Sequence, residues 1–100
     1  MFRQYLHLVL PLIVVIGMLS ACSSAPVQEM SDARQAIAAA HQVEAVEHAP
    51  GLMQRAMYEL TAAEQALESG AWKSARTSAM AAREDAIAAC MQVKQRRSRN

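Results

Sequence analysis

The apolar positions of this chain form two kinds of pattern. Residues 6–18 are a nearly unbroken apolar run without charge, in which His7, Pro11 and Gly17 are the exceptions. From about residue 30 onward, apolar residues recur every three or four positions, which is the spacing of helices with one buried face. This second part lacks both strict alternation and clusters of β-branched residues, so it predicts an all-α fold.

The periodic part divides into three predicted helices, which Pro50 and Gly70 help to separate. Pro50 suits the first position of a helix, where its missing N–H costs no hydrogen bond. Gly70 suits the left-handed conformation that follows a helix end, and Ser31 is the expected N-cap of the first helix. Because the connections are short, the helices should run antiparallel in a three-helix domain. Their predicted ranges are 31–48, 50–68 and 72–94 or beyond.

The third predicted helix carries two apolar stripes. One is a seam made almost wholly of alanine, which lets neighbouring helices approach to the lower end of their usual spacing of roughly 8–10 Å. Beside it runs a second stripe of Met80, Ile87 and Met91. Either the other two helices cover both stripes, or the second stripe docks a partner or a second copy of the chain. The seam consists of Trp72, Ala75, Ala79, Ala82, Ala86, Ala89 and Val93.

The apolar run near the start has the features of a cleavable secretory signal. Arg3 precedes it, and the run is too short for a transmembrane helix, which needs roughly 20 apolar residues. The residues after it resemble the bacterial lipobox, in which an aliphatic and two small residues precede a cysteine that receives a diacylglycerol. An ordinary signal peptide with a chance cysteine is the alternative. The residues of this lipobox are Leu19, Ser20, Ala21 and Cys22.

The lipobox resemblance implies that residues 1–21 are removed and that lipid on Cys22 holds the protein to a membrane. Ser23 follows, rather than the aspartate that often retains lipoproteins at the inner membrane. The resemblance therefore implies the periplasmic face of the outer membrane, with the inner membrane as the alternative. The rest of the chain is predicted to divide into a tether at 22–29, a three-helix domain at 30–95 and a basic tail at 96–100.

The positive and negative charges of the chain nearly cancel. The chain has 10 basic and 9 acidic residues, and removal of Arg3 with the signal makes the two counts equal. Nucleic acid is therefore not an expected partner. The basic tail either approaches anionic groups, such as peptidoglycan carboxylates or lipid phosphates, or favours the negative end of a helix dipole. With Cys22 lipidated, Cys90 is left either as a small buried residue or as the site of an intermolecular disulfide.

One group of side chains on the first predicted helix has ligand chemistry. His41, Glu44 and His48, with Glu47 beside them, lie within about 60° of one another if each residue turns about 100° around a continuous helix. Two imidazoles and a carboxylate suit zinc or copper. The same residue types are also ordinary on the solvent-exposed flank of a helix, so both interpretations stay open.

The helical region resembles two known families through its pattern of small residues. The stretch that starts at Gly70 resembles the second half of a tetratricopeptide repeat, which implies a helical hairpin. The residues that carry this resemblance are Gly70, Ala71, Trp72, Lys73, Ser74, Ala75, Ala79 and Ala82.

A longer resemblance covers residues 31–91. Here the chain is similar to a family of small periplasmic lipoproteins known only as a domain of unknown function, some members of which carry an OmpA-like peptidoglycan-binding domain. The resemblance implies a three-helix envelope domain without defined catalytic residues. The residues that carry it are Ala33, Arg34, Gln35, Ala36, Ile37, Ala49, Pro50, Ala56, Leu60, Ala63, Gly70, Ala75, Ala79, Met80, Ala81 and Ala82.

The sequence contains none of the residue patterns typical of an enzyme, such as a catalytic triad or a phosphate loop. We therefore expect neither catalysis nor a cofactor. The predicted function is a structural or adaptor role at the outer membrane, in which the face of Met80, Ile87 and Met91 binds an envelope protein, peptidoglycan or a second copy of the chain. Metal binding in the periplasm and assembly of a secretion or pilus system are the alternatives.

Overall fold

The computed structural model describes residues 25–100, and this part of the chain is helical without any strand. The all-α class is confirmed. Predicted helix one corresponds to α1 and the one-turn α2, and predicted helices two and three correspond to α3 and α4. Of the helices described, none is both long enough and apolar enough to cross a bilayer. The helices are α1 (Val27–Gln42), α2 (Ala45–His48), α3 (Pro50–Glu68) and α4 (Trp72–Arg99).

Helix α4 is the centre of the arrangement, because it packs against both α1 and α3, which contact each other much less. Helices α1 and α4 run in the same direction. Near their N-termini, Arg76 Nε donates to Glu29 Oε1 at 3.0 Å, and near their C-termini Arg97 Nη2 donates to the carbonyl oxygen of Val43 at 3.4 Å. Helix α3 runs antiparallel to both, so the order is up, down, up.

Two further ion pairs mark the register of α3 against its neighbours. Arg34 of α1 lies 3.6 Å from Glu64 of α3, and Arg55 of α3 lies 3.7 Å from Asp85 of α4. Pairs as exposed as these contribute at most about 1 kcal/mol to stability. These pairs show which turns of the three long helices lie at the same level.

The turn between α3 and α4 has the conformation that its glycine predicts. Gly70 has φ +76°, its N–H donates to Leu67 O at 3.1 Å, and the N–H of Ala71 donates to Ala66 O at 2.8 Å. This pair of bonds is the Schellman motif, which satisfies carbonyls left unpaired at a helix end. At the other end of α3, Pro50 occupies the first turn as predicted.

The start of α1 differs from the prediction. The helix begins at Val27 and not after an N-cap at Ser31, which lies half-buried inside α1. The carbonyl of Pro26 accepts the first bond, from the N–H of Met30 at 3.0 Å. Burial of the Met30 side chain against the core favours this additional turn. The predicted tether at 22–29 is therefore too long, and its described part ends at Pro26.

The first predicted helix is also interrupted. Glu44 has φ +61° and ψ +37°, a left-handed conformation, and separates α1 from the single turn of α2. This conformation costs a residue other than glycine roughly 1–2 kcal/mol. It redirects the chain so that Ala45 and Ala49 become buried in the core before α3 begins, and burial at these two positions offsets the cost.

The C-terminal end is more regular than predicted. Helix α4 continues to Arg99, so most of the segment 96–100 belongs to the helix and is not a separate tail. Arginine is a good helix former, and basic side chains are favourable at the negative end of a helix. The domain of packed helices accordingly runs from Val27 to Arg99.

The core is built mostly from alanine. The seam of α4 is confirmed for its alanines and Val93 but not for Trp72, which is partly exposed at the start of the helix. No polar side chain is buried among residues 25–100. Small side chains on all three long helices allow close approach of their axes. The buried apolar residues are Met30, Ala33, Ile37, Ala40, Ala45, Ala49, Met53, Ala56, Ala63, Ala75, Ala79, Ala82, Ala86, Ala89 and Val93.

Candidate functional site

The second stripe of α4 is uncovered. Met80, Ile87 and Met91 are 51%, 38% and 56% exposed, so the alternative in which the other helices cover both stripes is wrong. The stripe lies about 140° around the helix from the alanine seam, at 100° per residue. Helices α1 and α3 both pack on the seam, and neither reaches that far around α4. We call the face of these three residues the outer face of α4.

Polar residues are interleaved with the apolar ones on the outer face. Glu84 lies between Met80 and Ile87 and is exposed, and Arg83 lies on the flank nearer α1. Arg76, farther along the same flank, bonds to Glu29. A face that mixes apolar side chains with charges resembles the surfaces with which proteins bind each other reversibly, where the centre is apolar and the rim polar.

The proposed metal ligands are only partly brought together. One ligand atom each from Glu44, Glu47 and His48 lie within 4.8 Å of one another, and His48 Nε2 is 3.8 Å from Glu44 Oε2. His41 does not belong to this group. The prediction of His41 as a ligand assumed one continuous helix with about 100° per residue. The left-handed conformation of Glu44 interrupts that helix, and Glu47 rather than His41 completes the group.

The end of the molecule where α1 and α4 finish is basic. Arg96, Arg97 and Asn100 line a pocket with His48 and Val93. Lys94 and Arg99 are exposed nearby. The guanidinium of Arg97 is held in place by its hydrogen bond to the carbonyl oxygen of Val43, the residue before the left-handed Glu44. We call this end the distal end.

The opposite end carries exposed apolar groups that the sequence did not predict as a site. Val27, at the start of α1, is 72% exposed, and Trp72, at the start of α4, is 40% exposed. Periodicity places Trp72 in line with the alanine seam. Trp72 lies in the first turn of α4, directly after the turn at Gly70. This position in the sequence indicates that the neighbouring helices do not yet cover the seam at this level. We call this end the proximal end.

Of the two cysteines, only Cys90 lies among the residues that the structure describes. Cys90 is half-buried, packs against the core and forms no disulfide within the described part. An intermolecular disulfide at Cys90 stays a prediction. Cys22, the signal residues before it and the cleavage site at Leu19, Ser20 and Ala21 lie outside the described residues, so lipidation also stays a prediction.

Comparisons with protein-family models, with curated proteins and with solved structures each find no match to this chain. The resemblances to the lipoprotein family and to the tetratricopeptide hairpin therefore stay predictions.

Proposed function

We propose that this chain is a non-enzymatic envelope lipoprotein, anchored through Cys22 at the periplasmic face of the outer membrane, that acts as an adaptor for a protein partner. The outer face of α4 is the observation that supports the proposal. Met80, Ile87 and Met91 stay exposed although the same helix buries a complete seam. Exposed apolar groups that line up on one face are typical of binding surfaces.

The dimensions of the outer face suit a helical or extended segment of a partner. Met80 and Met91 are separated by about 16 Å along the axis, at 1.5 Å per residue. Methionine is flexible and polarizable, so it adapts to the shape of an apolar partner. Because α4 is packed on two sides, the face is presented without a folding step, which lowers the entropic cost of binding.

We predict that Met80→Glu/Ile87→Glu abolishes the partner complex. Both side chains are exposed, so the free energy of unfolding should change by less than about 0.5 kcal/mol, while two carboxylates would have to be desolvated in the complex. Cross-linking of the full chain in intact cells, followed by identification of the adducts by mass, measures the complex.

The matched control is Met57→Glu/Tyr58→Glu, which places two carboxylates on an exposed part of α3. It should leave the adducts unchanged. If both double variants keep the adducts and the oligomeric state of the unaltered chain, the outer face is not the binding surface. Loss of adducts in both would show that the charge change itself is responsible.

A second candidate function, metal binding, is favoured by the grouping of Glu44, Glu47 and His48. One imidazole and two carboxylates are a reasonable ligand set for zinc. The bond from Arg97 to Val43 places a guanidinium close to this group, and its positive charge opposes the binding of a cation. The adaptor role therefore remains the main proposal.

For metal binding we predict that His48→Ala weakens Zn²⁺ affinity, whereas His41→Ala leaves it unchanged because His41 lies outside the group. Titration calorimetry of both variants with Zn²⁺ and Cu²⁺ measures this. If the unaltered chain binds no more tightly than about micromolar, roughly −8 kcal/mol, metal binding is not its function. Equal losses in both variants would restore the ligand set expected from a continuous helix.

A further inference from the structure

The proximal end brings together three chain segments that are far apart in the sequence. The start of α1, the end of α3 and the start of α4 all lie there, because α1 and α4 are parallel and α3 is antiparallel. The bond from Arg76 to Glu29 aligns α1 with α4 so that Val27 stands at about the level of Ser74. The turn at residues 69–71 and Trp72 therefore extend a few ångströms beyond the first turn of α1.

This end is also the one nearest to the proposed lipid. Cys22 and Val27 are at most about 18 Å apart, because an extended residue spans roughly 3.3–3.6 Å. Helix α4 has 28 residues, so its far end lies about 42 Å from its beginning. An acyl chain on Cys22 would thus hold the proximal end close to a lipid surface. With the helices upright on that surface, the distal end would lie well beyond the Debye length of about 8 Å.

The chemistry exposed at the proximal end fits a lipid surface. Trp72 is the sole tryptophan of the chain, and its indole is partly exposed together with the side chain of Val27. Tryptophan concentrates at membrane interfaces, where the ring meets apolar groups and its N–H meets polar ones. Lys73 and Glu68 are both exposed here, and their charges offset each other.

We propose that the proximal end is a membrane-contact surface, in which the Trp72 indole inserts at the boundary between headgroups and acyl chains of the lipid layer that holds Cys22. The inference rests on the proposed lipidation. It adds an orientation: the helices stand upright on the lipid, the outer face of α4 is free for a protein partner, and the distal end points away from the lipid. Because the local charges offset each other, contact depends on the indole and not on anionic lipid.

The single tryptophan makes the proposal directly measurable. The full chain, purified with its lipid, is reconstituted into vesicles of zwitterionic lipid and into vesicles containing anionic lipid. We expect Trp72 emission to shift to shorter wavelength, to be quenched strongly by brominated acyl chains, and to lose most of its sensitivity to iodide in both kinds of vesicle.

The matched control moves the fluorophore. In Trp72→Phe/Tyr58→Trp the indole replaces a side chain that is 72% exposed in the middle of α3. The pairing of Arg55 with Asp85 sets the level of this position at about 15 Å above Trp72. Emission from position 58 should remain sensitive to iodide and insensitive to brominated lipid. Circular dichroism checks that both proteins remain helical.

The outcomes separate this inference from the proposed function. Absence of acyl chains on Cys22 by mass spectrometry would overturn the anchoring that both require. A lipidated, vesicle-bound chain whose Trp72 is as accessible to iodide as position 58 would overturn the membrane contact alone. Shielding of both positions would mean that the domain lies flat on the lipid, which contradicts the upright orientation. Shielding confined to anionic vesicles would contradict the role given to the indole.

Discussion

Among residues 25–100, Glu44 and Gly70 adopt left-handed backbone conformations, and only one of them was predictable. Gly70, at φ +76°, follows a helical pattern and precedes another, so its residue type announces the turn. Glu44, at φ +61°, has a residue type that gives no such signal. Its conformation is imposed by the packing of Ala45 and Ala49 behind it. This one residue explains why the predicted first helix is interrupted and why His41 does not join the predicted metal ligands.

The conformation of Gly70 can be tested against that of the helical Gly51. A Cβ at either position would meet no atom within 4 Å, so the two differ in backbone conformation and not in available space. Gly70→Ala should lower the free energy of unfolding by about 1–2 kcal/mol, and Gly51→Ala should raise it by up to about 1 kcal/mol. Urea unfolding followed by circular dichroism measures both. Equal effects of the two substitutions would contradict the left-handed turn.

At the scale of whole helices, periodicity predicted which residues share a face but not which face finds a neighbour. The spacing of three and four identified the alanines of α4 that become buried, and the bounds of α3 follow from proline and glycine. It could not show that α1 and α3 pack on the same seam and leave Met80, Ile87 and Met91 exposed. The candidate site could therefore not be predicted from periodicity, because its exposure depends on how the helices pack against one another.

The alanine seam should not tolerate larger side chains. Ala82 is fully buried, so Ala82→Leu would force helices apart or into strained rotamers and should lower the free energy of unfolding by about 1–3 kcal/mol. Ala38→Leu, at an exposed position of α1, should change it by no more than about 0.5 kcal/mol. Thermal and urea unfolding compare the two. A tolerated leucine at position 82 would mean that the helix axes are farther apart than described.

For the molecule as a whole, the all-α class and the alternation of helix directions were predictable, whereas the order of packing was not. Contacts such as that between Glu29 and Arg76 join residues far apart in the sequence, and no local pattern contains them. These long-range contacts decide which exposed groups share an end. The presence of Val27 and Trp72 at one end and of His48 and Arg97 at the other therefore emerged only from the fold.

The alanine core has a thermal consequence. Exposure of apolar surface raises the heat capacity of an unfolded chain by about 0.45 cal/mol/K for each Å², and each buried alanine contributes little more than a methyl group to that surface. The heat-capacity change of unfolding should therefore be small for a domain of this length. Since that quantity sets the curvature of stability against temperature, this bundle should vary little in stability between cold and warm conditions and resist cold denaturation.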